Sequence, residues 1–205
     1  MGRWLPLPPA WVARARRFLR AGGARPIDEG EVISLDLRFY GDPILRQTAE
    51  PVVTFDVELR EFGEAMVATM RRERGVGLAA PQVGRSVQVI AALRMEDGDN
   101  VDVPAEILVN PKIVFASKET WSSEEGCLCI PGVSAAVIRS REVEVEYQDV
   151  TGEVRRVRTD TYFGRILQHE IDHLKGVLFI DYLSSAQKSL IKPKLKQISQ
   201  TNHLL

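Results

Sequence analysis

Apolar residues recur at helical spacing in several stretches of the chain and alternate, or run unbroken, in the segments between them. From Asp56 to Arg74, Leu59, Phe62, Met66, Val67 and Met70 share one face, which predicts an amphipathic helix with Thr54 or Asp56 as its N-cap. Just before it, Gly41-Asp42-Pro43 supplies a turn. Short β-branched runs at Val87–Leu93, Ile107–Phe115 (broken by Asn110-Pro111) and Ser134–Ile138 predict strands. Arg141 to Gln148 alternates with Val143, Val145 and Tyr147 on one face, and Asp149-Val150-Thr151-Gly152 turns it back into Val154–Thr159 as an antiparallel hairpin. A second long helix is predicted from Asp160 or Thr161 to Gly176, with Tyr162, Phe163, Ile166, Leu167 and Leu174 toward the core. Leu190, Ile191, Leu195 and Ile198 predict a last helix interrupted at Pro193. Strands that follow one another without intervening helices point to an α+β fold, with helices packed on antiparallel sheets.

Two segments resist this scheme. Gly75-Val76-Gly77-Leu78-Ala79-Ala80-Pro81-Gln82-Val83-Gly84 suits neither strand nor helix; it reads as a tight turn or as a backbone edge beside a site. It lacks the Lys-Ser/Thr ending of a phosphate loop, so it gives a nucleotide site no support. Near the N-terminus, Trp11, Val12, Ala15, Phe18 and Leu19 alternate with Arg14, Arg16, Arg17 and Arg20 in a short basic amphipathic stretch, and Gly22, Gly23 and Pro26 form a linker. The absence of serine from the stretch counts against a transit peptide and favours a tail or docking helix. This divides the chain into a basic arm, 1–32, and a single domain, 33–205, with a C-terminal helical tail.

Composition sharpens the division. Residues 1–27 carry six arginines and no acid, so arm and body hold charges of +6 and −7 within a net charge of −1. An acidic body is a poor partner for nucleic acid. With 44% hydrophobic residues the chain can bury a core, and no stretch approaches a membrane span, which predicts a soluble, cytoplasmic protein, with an organellar setting as the alternative. Cys127 and Cys129, the only cysteines, stand too close together to staple a fold and so point to ligation or catalysis.

The chemistry centres on Gln168-His169-Glu170-Ile171-Asp172-His173. On a helix, the four-residue step turns both imidazoles to one face as a metal-ligand pair, and Glu170 remains free to handle the proton of an activated water. A third ligand downstream is missing. Phe179 stands where H-E-x-x-H-x-x-G-x-x-H would place a histidine, and no glutamate follows His173. Upstream, Glu125-Gly126-Cys127-Leu128-Cys129 offers Cys127, whose thiolate with two imidazoles would make an open three-ligand site suited to Zn²⁺ or Fe²⁺. A small buried structural cysteine is the competing reading.

Together the segments Gly75–Gln82, Glu125–Cys129 and Gln168–His173 closely resemble the three motifs of the peptide deformylases, over residues from about Ile33 to Leu183. The resemblance implies a compact fold of antiparallel sheets around the motif helix and removal of the N-formyl group from N-terminal formylmethionine. It implies one divalent metal, Fe²⁺ with Zn²⁺, Ni²⁺ or Co²⁺ as substitutes, held by Cys127, His169 and His173. Glu170 would be the acid/base, and Gln82 with the Leu128 N–H the oxyanion donors. Val76, Gly77 and Gly126 would offer backbone hydrogen bonds to the peptide, and Tyr162, Phe163 and Ile166 a methionine pocket. Arg165 would lie near the pocket rim, as a peptide contact or a solvated surface residue. The expected partners are formylmethionyl peptides and the ribosome near its exit tunnel, with no membrane span. The chain departs from the family in carrying Cys129 where a Ser is usual. In an extended segment the side chains of Cys127 and Cys129 would share a face. Other readings are a metallo-peptidase or amidase of different specificity and a structural zinc module.

Overall fold

The computed structural model describes residues 34–96 and 102–201; the expectations for the arm, 1–32, and for the very end of the chain lie outside the described residues. Asp42 caps a 3₁₀ turn at Pro43–Arg46 by accepting from the Ile44 N–H at 3.0 Å. Helix α1 spans Val57–Arg72, and Asp56 is its N-cap, accepting from the Leu59 N–H. Strands β1 (Gly77–Ala79), β2 (Val89–Leu93), β3 (Ala105–Ala116), β6 (Val143–Gln148) and β7 (Val154–Thr159) form one antiparallel sheet in the order β1-β2-β3-β6-β7. Strands β4 (Thr120–Gly126) and β5 (Ser134–Ser140) pair separately as a two-stranded sheet. Helices α2 (Tyr162–Leu174) and α3 (Ser185–Thr201) complete the fold.

The run Val89-Ile90-Ala91-Ala92-Leu93 has no polar face because both sides of β2 are covered. Ile90 and Ala92 pack in one cluster with Phe163, Ile166, Leu167 and Ile171 of α2, whereas Val89, Ala91 and Leu93 pack in another with Phe62, Met66 and Met70 of α1. The stripe predicted for α1 is therefore core. A third cluster joins Leu45, Ile130, Val137, Phe179 and Ile198 beneath the small sheet. No helix among the described residues is long and apolar enough to cross a membrane.

Four expectations are corrected. The glycine-rich segment does contain a strand, β1, followed by a 3₁₀ turn at Ala80–Val83. The Asn110-Pro111 break does not divide β3. Asn110 adopts a left-handed conformation (φ 51°) at an irregularity in the register, and its amide exchanges 2.8 Å hydrogen bonds with the Val52 backbone, so the chain resumes pairing beyond it. Helix α3 continues through Pro193. Finally, Arg165 on α2 is not solvated: from Phe163 to Leu174 every side chain except Asp172 is buried, Arg165 included.

Candidate active site

Burial of nearly all of α2 fixes the histidines, because the helix packs against both the main sheet and the small sheet. Gln168 pins it there by donating to Ser140 O at 3.1 Å and accepting from the Ser140 N–H at 3.2 Å. One turn apart, His169 and His173 have ring centroids 5.0 Å apart. Cys127, in the turn after β4, brings its Sγ to 3.2 Å from His173 Nε2 and lies within hydrogen-bonding reach of His169. The donor atoms of Cys127, Cys129 and His173 all lie within 4.8 Å of one another; His169 is outside that grouping although it touches two of its members.

Behind the histidines is a buried ionic network. Glu125 accepts from His169 Nδ1 at 2.9 Å, takes both prongs of the Arg139 guanidinium at 2.9 Å each, and receives Arg165 Nη1 at 2.6 Å. Arg139 also reaches Asp172 at 2.5 Å, and Arg165 Nη2 donates to Trp121 O at 2.8 Å. Burial opposes ionisation of Glu125, yet the Arg139 and His169 hydrogen bonds outweigh it and hold the carboxyl well below the usual range. Burial likewise pulls His169 down, but its contacts with Cys127 and Glu125 more than compensate and raise it. Arg165 is thus not a solvated surface residue: it is 2% exposed and locked to Glu125, and it contributes to the wall of the cavity described below. Glu125, Arg139 and Asp172 were not singled out from the sequence. The local signal for Glu125 was weak, a glutamate beside Glu124 in a polar run.

Glu170 is 4% exposed and its Oε2 has no hydrogen-bond partner among the described residues. Burial pushes its carboxyl up to about 7. Burial and the Cys129 contact push the Cys127 thiol up to about 12; a cation held beside it would reverse that preference. Sulfur, two imidazoles and a buried carboxylate without a partner are a donor set that fits a borderline divalent metal.

A cavity of about 780 Å³ opens over this centre. Val76, Gly77, Gln82, Gly126, Cys127, Leu128, Tyr162, Ile166, His169 and Glu170 all line it, together with Arg165, and Leu37 and Phe39 join from a segment the sequence left undescribed. Phe163 does not line it: it is 3% exposed within the core cluster between α2 and the sheet, which corrects its place in a methionine pocket. His173 sits behind the lining, and Cys129 is fully buried. Gln82 accepts from the Ala79 N–H at 2.6 Å and donates to Cys127 Sγ at 3.3 Å, leaving its second amide hydrogen available. Among the described residues, β1 pairs with β2 alone and β4 with β5 alone, so each presents an edge without a strand partner there.

Gly77 is required by contact. A Cβ there would overlap the Glu170 carboxyl group. Gly77→Ala is expected to displace that carboxylate and cut turnover by roughly 10²-fold or more, the scale of a small misplacement at a reacting centre. Steady-state kinetics with unchanged metal content would check this; full activity would show that the contact is not needed.

The model of the polypeptide deformylase family matches residues 35–189. The chain belongs to this family. It is similar to the peptide deformylase of Thermotoga maritima, 41% identical over 165 residues, which cover 80% of this chain and 96% of that one. It is also similar to that of Treponema pallidum, 42% identical over 154 residues (75% and 91%). Among solved structures, Arabidopsis thaliana peptide deformylase 1B superposes with a TM-score of 0.75 at 36% identity, covering 82% of this chain and 91% of the other. The Thermotoga maritima deformylase superposes at 0.68 and 40% identity, covering 74% and 98%. The α+β fold and the enzyme class expected from the three motifs are the family's own, and the family is metal-dependent.

Proposed function

We propose that this chain removes the formyl group from the N-terminal formylmethionine of newly made polypeptides at a metal held by Cys127, His169 and His173, with Glu170 moving the proton. The observation that carries the ligand set is Glu125. Its grip on His169 Nδ1 leaves Nε2 as the free donor atom, the carboxylate–histidine arrangement that orients metal-binding imidazoles. Cys129 belongs to the close grouping that His169 lies outside, but it is fully buried and does not line the cavity.

A divalent metal bound there supplies a Lewis-acidic centre that polarises the formyl group and brings the pKa of water toward neutrality. Glu170, buried and with Oε2 free, accepts the proton of the attacking water and later returns it to the leaving amine. Gln82 Nε2 and the Leu128 N–H, both on the cavity wall, are the proposed oxyanion donors. The peptide fits between the free edges, with Val76 and Gly77 on one side and Gly126 on the other, as an added strand. Tyr162 and Ile166 form the side-chain pocket. Fe²⁺ is the proposed native metal. The proposed setting is the cytoplasm or an organelle that makes formylated polypeptides, near the ribosome that supplies them.

Formate release from formyl-Met-Ala-Ser by anaerobically prepared protein tests this reading. A peptidase would release amino acids instead, and a structural zinc module would release nothing. Gln82→Leu, similar in size but without the donor, should lower kcat by about 10²–10³-fold, the scale of one lost oxyanion donor. An unchanged kcat would remove Gln82 from that role.

A further inference from the structure

The thiol that departs from the family pattern has its own chemistry. Cys127 Sγ and Cys129 Sγ are 3.1 Å apart. The convergence does not come from an extended strand, as expected from the sequence. Cys127 to Ile130 form a β-turn closed by a 2.9 Å bond from the Ile130 N–H to Cys127 O, which folds the two side chains together. The two sulfurs differ in access. Cys127 lines the cavity, whereas Cys129 is fully buried in the third core cluster beside Leu45, Ile130 and Phe179. Gly126 precedes the pair and Gly132, at φ 72°, follows it, so the turn is flanked by backbone able to adjust.

We propose that Cys127 and Cys129 constitute an oxidation site, at which a hydroperoxide converts the metal-free chain to a reversible intramolecular disulfide. A peroxide entering the cavity meets Cys127 first. Its sulfur attacks one peroxide oxygen, the O–O bond breaks, and Cys127 becomes a sulfenic acid with release of water (or of an alcohol, from an organic peroxide). Cys129 sulfur then attacks the Cys127 sulfur, the S–O bond breaks, and a second water leaves. Two thiols lose two electrons and two protons in all, and the peroxide takes them up. The disulfide withdraws Cys127 as a thiolate ligand and shields it from irreversible oxidation; a thiol reductant restores both. A serine at position 129 has no sulfur with which to complete the second step. The ligand consequence rests on the proposed metal site, whereas the disulfide itself does not.

The test is a limited hydrogen peroxide treatment of metal-free and metal-loaded protein, read by intact mass, thiol alkylation and peptide mapping. The metal-free chain is expected to lose two hydrogens, to yield one peptide with Cys127 joined to Cys129, and to recover both thiols and metal uptake with dithiothreitol. Cys129→Ser and Cys129→Ala should instead accumulate oxygen on Cys127 that dithiothreitol does not remove. Oxygen accumulating on Cys127 of the unaltered chain while Cys129 stays alkylatable would overturn the proposal. Disulfide formation at the same rate with metal bound would support the oxidation site and reject Cys127 as a ligand, so the two readings fail separately.

Discussion

Glu170→Ala is expected to keep its metal and lose turnover by roughly 10²–10⁴-fold, the range for removal of a positioned acid/base. The side chain is buried at 4% exposure, its Oε2 has no partner among the described residues, and burial holds its carboxyl up to about 7. Such a group costs the fold free energy, since a carboxylate without compensation is unfavourable in a buried setting. The metal-free alanine variant should therefore be at least as stable as the parent, by up to about 1–3 kcal/mol where the desolvation cost is fully relieved. Activity and stability should thus move in opposite directions. Metal analysis, formate release and thermal unfolding on the same preparation check all three. Loss of metal would mean that Glu170 is a ligand; loss of stability would mean that its carboxylate contributes to folding.

The features legible in the sequence are those fixed by short-range pattern. The 3.6-residue stripe of α1, the two-residue alternation of β6, and the four-residue step between His169 and His173 are properties of neighbouring residues and survive any tertiary context. Strand β4 was not legible because its one fully buried side chain is Glu125, so that Thr120–Gly126 shows no apolar alternation. Its inward face is satisfied by ion pairs with Arg139 and Arg165, 14 and 40 residues away, which no local window contains. For the same reason Arg165 looked solvated. Its position on α2 could be read, but its partner could not. The unbroken passage of α3 through Pro193 sets local propensity against packing. Proline in a helix interior costs about 3 kcal/mol, and the helix is retained with Ile191, Leu195 and Ile198 packed on the third core cluster. The catalytic motif was therefore visible from spacing alone, while the apparatus that orients it was not.

That apparatus sets the second large effect. Glu125→Ala is expected to lower metal affinity by about 10–100-fold, as for other groups that orient a metal-binding imidazole. It should also destabilise the fold by about 3–5 kcal/mol, because it leaves buried charges without their counter-ion. The two effects have one origin. Arg139 keeps Asp172 as a partner, but Arg165, 2% exposed, loses its Glu125 carboxylate, and His169 loses the acceptor for its Nδ1–H. Glu125→Gln separates them. Its amide oxygen can still accept from His169 or an arginine, so the ring stays oriented in part, while the charge that compensates the two guanidinium groups is gone. The glutamine variant should lie closer to the parent in metal affinity, measured by chelator competition, than in thermal stability. If both variants retain full affinity, His169 does not depend on Glu125, and the case for His169 over Cys129 as the third ligand loses its support. If affinity falls without loss of stability, the arginines have found other partners and the network orients the site without holding the fold.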